Sequence, residues 1–163
     1  MFKFDDIVAM QNVGIRKATS HTLSPKGAYT LTRFKSEVAR LYAEWQDRGR
    51  KISNEVGIED GKAFYQRYKE LCDKKCNKEE QKELDAAKDK IARLTAMQNE
   101  LDNDEVTINC TPMSYEDWFN LINENKGLVV NITDNNGKVL DSYELFGFIE
   151  SLSEGILWAA PAE

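Results

Sequence analysis

Two apolar stripes, each repeating every three or four residues, constrain the fold of this chain more than any other feature of its sequence. They consist of Leu31, Phe34, Val38, Leu41, Trp45 and Ile52, and of Leu84, Ala87, Ile91, Leu94, Met97 and Leu101. A repeat of this kind places the side chains on one face of an α-helix. The pattern therefore predicts two long helices that bury these two faces against each other.

The ends of these helices have recognisable signals. Ser24 followed by Pro25 is a good start for the first helix, because serine caps a helix N-terminus and proline is tolerated at the first helical position. The segment 57–61 predicts a reversal, and a second helical stretch runs from about Lys62 to Asn103. Asn77 and Glu80 have the spacing of a capping box, so this stretch is either one interrupted helix or two helices.

The pattern changes after residue 104, where short alternating segments replace the long stripes. Residues 106–110 alternate as in a half-buried strand, and Ser114 is placed to cap a helix over residues 115–125. Residues 128–133 and 138–140 predict two strands, joined by a hairpin turn because Asn136-Gly137 accepts positive φ. A last helix is predicted over residues 143–153. The predicted fold class is mainly α, α+β, with a long antiparallel helical hairpin and a small α+β head that contains a β-hairpin.

We expect a single domain over residues 1–163. It comprises the helical hairpin (24–103), the α+β head (104–154) and an apolar tail (155–163). The apolar fraction of 41% and the length of 163 residues suit a chain with a real core. Because no window is apolar enough to span a membrane and residues 1–10 lack the pattern of a secretory signal, we predict a cytoplasmic protein with no membrane partner.

The sequence offers little for catalysis. His21 is the one histidine of the chain, and nothing around it resembles the setting of a catalytic nucleophile. The segment Gly57–Ala63 has glycines and a lysine, but it lacks the spacing and the hydroxyl residue of a phosphate-binding loop. We therefore predict no catalytic residue, no cofactor and no metal site, and expect that the chain is not an enzyme.

Two groups of residues are candidates for binding a partner. The apolar tripeptide Ile156-Leu157-Trp158 could dock on another protein, since tryptophan is enriched at binding hot spots; it could equally fold back on its own head. The second group is Arg40, Arg48 and Lys51 on the basic face of the first helix. Residues 1–97 hold 20 basic and 15 acidic side chains, whereas residues 98–163 hold 2 and 13, which favours self-association or a basic partner.

The order of elements resembles that of a group of small uncharacterised phage-encoded proteins. The resemblance rests on the charged helical hairpin, which includes Arg48-Gly49-Arg50-Lys51, and on the acidic strand opener over residues 101–108. It covers roughly residues 20–125 and implies no catalytic residues. It implies a location in the bacterial host cytoplasm or in a virion.

These observations predict a non-enzymatic structural, assembly or protein-interaction protein, of phage or prophage derivation if the resemblance holds. The alternative is a nucleic-acid-associated regulatory protein that uses the basic face of the first long helix, because such a face can follow a phosphate backbone. Interleaved acidic residues and a sequence pI near 5.0 disfavour this alternative.

Overall fold

The computed structural model of the chain describes residues 1–162, which form a mainly helical α+β structure, as the sequence predicts. The helices of this described part are α1 (Phe4–Val13), α2 (Pro25–Glu55), α3 (Gly61–Cys72), α4 (Lys78–Asn103), α5 (Tyr115–Glu124), α6 (Leu145–Phe148) and α7 (Glu150–Ser153). The strands are β1 (Phe2–Lys3), β2 (Glu105–Val106), β3 (Val129–Thr133) and β4 (Val139–Glu144).

The residues divide into two compact units, and α2 contributes to both of them. The first unit consists of residues 1–43 and of the chain from residue 105 onward; the second consists of residues 44–104. In the first unit, β1 pairs antiparallel with β2. Its core is formed by the fully buried side chains Phe2, Phe4, Ile7, Met10, Ile15, Leu31, Phe34, Trp118, Leu121, Phe146 and Leu157.

The first apolar stripe is shared between the two units. Leu31, Phe34, Val38 and Leu41 are buried in the first unit, where the ring of Phe34 lies 5.8 Å from that of Phe2. For Phe34, the N-terminal segment supplies an apolar partner that the spacing within α2 does not reveal. The packing of the first stripe against the second stays a prediction.

The second unit contains the end of α2 together with α3 and α4. Trp45 Nε1 donates a hydrogen bond of 2.7 Å to Asp102 Oδ1, and Lys90 Nζ donates one of 3.3 Å to the carbonyl oxygen of Gly57. These contacts join Trp45 of α2, and the turn at Gly57 that follows α2, to α4. The buried side chains Val56, Ile58, Leu71, Leu84, Ala87 and Leu101 form the core of this unit.

Two separate helices, rather than one interrupted helix, meet near Asn77. Helix α3 ends at Cys72, and Asn77 Oδ1 accepts a hydrogen bond of 2.8 Å from the Glu80 N–H at the start of α4. The Glu80 side chain accepts a bond of 3.3 Å from the Asn77 N–H in return. The capping box read from the sequence is thus confirmed, and it begins a new helix because it satisfies two free N–H groups there.

The chain after Gly127 differs from the sequence prediction in one respect. Strands β3 and β4 pair antiparallel across the turn at residues 134–138, where Gly137 has a φ of +81°, which confirms the two strands and their glycine turn. However, Ser142 and Tyr143 extend β4, because they pair with Asn131 and Val130 across the sheet. The predicted helix over residues 143–153 is replaced by the end of β4 and the short helices α6 and α7.

Candidate functional site

The tripeptide Ile156-Leu157-Trp158 folds back onto the first unit. The side chain of Leu157 is fully buried and Trp158 is 6% exposed. The Trp158 ring stacks on that of Trp118 at a centroid distance of 5.5 Å. Of the two arrangements left open by the sequence, docking in cis is the one observed. The prediction that Leu157 and Trp158 are offered to a partner is therefore corrected: both side chains belong to the core.

A backbone reversal and three hydrogen bonds hold the tripeptide in this position. Gly155 adopts a φ of +79° and its N–H donates to the carbonyl oxygen of Trp158 at 2.7 Å. The Met113 N–H donates to the carbonyl oxygen of Leu157 at 2.8 Å, and the Ala159 N–H donates to that of Met113 at 3.1 Å. A glycine directly before an apolar tripeptide is a local signal for such a reversal, since positive φ favours glycine.

Arg40 forms an ion pair on α2 instead of presenting an unneutralised cation. Its Nη2 atom lies 3.1 Å from Glu37 Oε2, and the same Glu37 oxygen accepts a hydrogen bond of 3.2 Å from the Asn109 N–H. The hydrogen bond from Arg40 and the one from Asn109 lower the pKa of the buried Glu37 carboxyl against the opposing effect of its burial. This pair connects α2 to the chain before α5, a role that the sequence did not indicate for Glu37.

Arg48 and Lys51 lie together on the rim of an open hollow in the second unit. The hollow has a volume of about 330 Å³ and is lined by Arg48, Lys51, Ile52, Glu55, Met97, Glu100, Leu101 and Asp104. Arg48 Nη1 is 3.9 Å from Glu44 Oε1 and 3.9 Å from Asp104 Oδ2. Lys51 Nζ is 3.1 Å from Asp47 Oδ2. Carboxylates therefore accompany both cations, and the hollow has no strong positive charge.

The same pairing applies to two further arginines on α2. Arg33 lies 4.0 Å from Glu37, and Arg50 lies 2.5 Å from Asp47. Paired cations release fewer counterions from a phosphate backbone than cations without an acidic neighbour. The geometry therefore adds no support to the nucleic-acid alternative.

The β3–β4 hairpin and α6 expose large apolar side chains. Ile132, Val139, Leu140, Tyr143 and Phe148 are between 42% and 63% exposed; we call these five residues the hairpin surface. The rings of Tyr143 and Phe148 lie 6.0 Å apart. Exposed apolar groups that lie next to each other, as Tyr143 and Phe148 do, are typical of surfaces that bind another protein.

Acidic groups accompany the hairpin surface. The Tyr143 hydroxyl donates a hydrogen bond of 2.7 Å to Asp141 Oδ2. This bond lowers the pKa of the Asp141 carboxyl and raises the pKa of the Tyr143 hydroxyl. Asp141 is therefore anionic at neutral pH and accepts a hydrogen bond from the Tyr143 hydroxyl on this surface.

Within residues 1–162 we find no group of three or more His, Cys, Asp or Glu side chains arranged to hold a metal ion. In the same part of the chain, no helix combines the length and the apolar character that a membrane span requires. No protein-family model, no curated protein and no solved structure matches this chain.

Proposed function

We propose that this chain is a non-enzymatic structural, assembly or protein-interaction protein whose working surface is the hairpin surface. The observation that carries the proposal is the exposure of five large apolar side chains within residues 132–148. Leaving these groups in water costs roughly 25 cal/mol for each Å² that a partner could cover. A two-stranded sheet also gains stability from a covering partner, because such a hairpin is marginally stable by itself.

The helical segments have a supporting role in this proposal. We propose that α2 and α4 act as an antiparallel helical hairpin within residues 44–104, supported by the Trp45–Asp102 and Lys90–Gly57 hydrogen bonds. The ion pairs of Arg48 and Lys51 keep the outer face of this hairpin hydrated. A phage or prophage origin of the chain, and a place in the host cytoplasm or a virion, stay predictions of the sequence resemblance.

Site-specific photo-crosslinking in the full chain tests the proposal. A photoreactive residue replaces Leu140, which is 63% exposed on the hairpin surface, or Tyr29, which is 69% exposed on α2. After irradiation in a bacterial host, the mass of each adduct shows what was captured. We expect one defined protein adduct from position 140 and none from position 29. No adduct at 140, or the same adducts at both positions, would contradict the proposal.

A further inference from the structure

The outer edge of β3 has its hydrogen-bonding groups directed away from the hairpin. The Leu145 N–H donates to the Leu128 carbonyl oxygen at 2.8 Å, and the register pairs Val130 with Tyr143. Because bonded and non-bonded pairs alternate in an antiparallel sheet, the backbone groups of Val129, Asn131 and Thr133 point outward. Within residues 1–162 this sheet contains β3 and β4 and no third strand.

The two edges of this sheet differ in how they are protected. Strand β4 carries Asp141 and Glu144, and the outward N–H of Ser142 donates to Asp141 Oδ1 at 2.8 Å. Strand β3 has the sequence Val-Val-Asn-Ile-Thr, with no charged residue and no proline. Charges and proline are the usual means by which proteins block edge pairing. The edge of β3 is therefore the one open to another strand.

We propose that β3 pairs antiparallel with β3 of a second copy of the chain, around a two-fold axis at Asn131. This inference rests on the proposed function and names its partner. The axis places the outward groups of Val129 opposite those of Thr133 in the second copy. It also places Val130 of each copy opposite Ile132 of the other copy, so that two apolar pairs form on one face of the joined sheet. Such self-complementarity is what a two-fold interface requires.

The charges near β3 are compatible with this pairing. In the proposed register, Asp134 lies opposite Leu128 of the second copy and does not face its own equivalent. At longer range, residues 105–163 hold 2 basic and 10 acidic side chains, so two copies repel each other in dilute buffer. Salt screens such repulsion over about 10 Å at 0.1 M. Association between two copies should therefore become tighter as salt is added. Binding to a basic partner would instead become weaker.

Sedimentation equilibrium of the full chain measures this association directly. We expect a mass of about twice the 18.7 kDa chain at high protein concentration, with a dissociation constant that falls between 0.05 and 0.5 M NaCl. A mass of one chain throughout a series up to 1 mM protein would overturn the proposal.

Two lysine variants form a matched pair for locating the interface. Ile132→Lys places a charge on β3, and Tyr65→Lys places one on α3 at a side chain of similar exposure. We expect Ile132→Lys to weaken dimerisation at least tenfold, while Tyr65→Lys retains the wild-type constant. Equal effects of the two variants, or no effect of Ile132→Lys, would overturn the proposal.

Asn131→Pro serves as a second variant, with circular dichroism to show that each variant is folded. Proline at this position removes an outward N–H but none that bonds to β4, and edge strands tolerate it for that reason. We expect a folded monomer; a folded dimer would overturn the proposal. A monomeric wild-type chain that still gives a defined adduct with another protein at position 140 would refute the second-copy inference alone.

Discussion

The carboxylate of Asp117 on α5 occupies the space that a side chain on Gly27 of α2 would need. A Cβ atom at Gly27 would lie 2.5 Å from Asp117 Oδ2. The same carboxylate accepts hydrogen bonds from the Ser24 N–H at 2.9 Å and from the Ser24 hydroxyl at 2.5 Å. The Ser24 hydroxyl oxygen in turn accepts a bond from the Gly27 N–H at 3.1 Å. The start of α2 is therefore attached to α5 through one buried acidic side chain.

Gly27→Ala should destabilise the chain by about 1–3 kcal/mol, because the new methyl group displaces the buried Asp117 carboxylate. Urea denaturation followed by circular dichroism measures the change. Gly61→Ala is the matched control, since a Cβ atom there meets no other atom within 4 Å, and we expect its stability to lie within about 0.5 kcal/mol of wild type. Equal stability of the two variants would show that Asp117 does not fill this space.

Trp158→Ala should cost about 3–5 kcal/mol of unfolding free energy, the range for removing a buried tryptophan from a core. The loss includes the stacking on Trp118 at 5.5 Å and the tilted ring contact with Tyr115 at 5.7 Å. Thermal unfolding of the full chain provides the measurement. Tyr29→Ala, at an exposed aromatic position, should change the stability by less than about 0.5 kcal/mol. A Trp158→Ala chain as stable as wild type would mean that the tail is not docked in cis.

Glu37→Gln should destabilise the chain by about 1–3 kcal/mol at pH 7, since hydrogen bonds to a charged group are lost. The folded state lowers the pKa of Glu37 through the hydrogen bonds from Arg40 and Asn109. Because the pKa of Glu37 is lower in the folded state than in the unfolded state, its ionised form stabilises the fold. This stabilisation is present above the unfolded pKa of about 4.3 and is lost as the pH falls through the folded pKa.

The pH dependence of this variant follows from the lowered pKa of Glu37 in the folded state. The stability difference between wild type and Glu37→Gln should be largest above about pH 5 and should shrink below about pH 4. Urea denaturation of both proteins at pH 7, 4 and 3 checks it, because the other carboxylates cancel in the difference. A difference that stays constant with pH would contradict the ion pair.

The thiol of Cys110 should react with iodoacetamide more slowly than that of Cys72 at pH 8. Burial is the main cause that raises the pKa of the Cys110 thiol, and its Sγ atom donates to the Ile156 carbonyl oxygen at 3.0 Å. Cys72 is exposed. Peptide mass spectrometry follows each site, and 8 M urea should remove the difference. Equal rates in the folded chain would show that the segment around Ile156 leaves Cys110 accessible.

The sequence predicted the elements whose causes are local. The serine cap of α2, the capping box of α4 and the glycine turn of the β3–β4 hairpin depend on residues within four positions of one another. Their hydrogen bonds form in any context that tolerates a helix or a turn. These local features account for the agreement between the predicted and the observed fold class.

The sequence did not predict contacts between distant segments. The spacing of Phe34 shows that it lies on a buried face, but nothing within α2 names Phe2 as its partner. Its neighbours in the sequence predict that Glu37 is a solvent-exposed acid on a charged helix. In the structure Glu37 is instead buried, where it contacts the Asn109 N–H and two arginines. The Trp158 tripeptide could not be assigned to the core, because its partner Trp118 lies on α5, 40 residues earlier.

The exposure of the hairpin surface was not predicted from the sequence either. Apolar residues in strands such as β3 and β4 normally indicate one buried face. The structure instead leaves Leu140, Tyr143 and Phe148 exposed. Whether a second layer covers a strand depends on packing, which the alternation within a strand does not specify.

Hydrogen–deuterium exchange at low and high protein concentration tests most directly whether the edge of β3, and not the chain end, makes the intermolecular contact. We expect exchange in residues 129–133 to slow as the concentration rises, because their outward N–H groups become paired. Exchange in residues 155–162 should stay unchanged. Slower exchange in residues 155–162, with residues 129–133 unaffected, would contradict the proposed pairing.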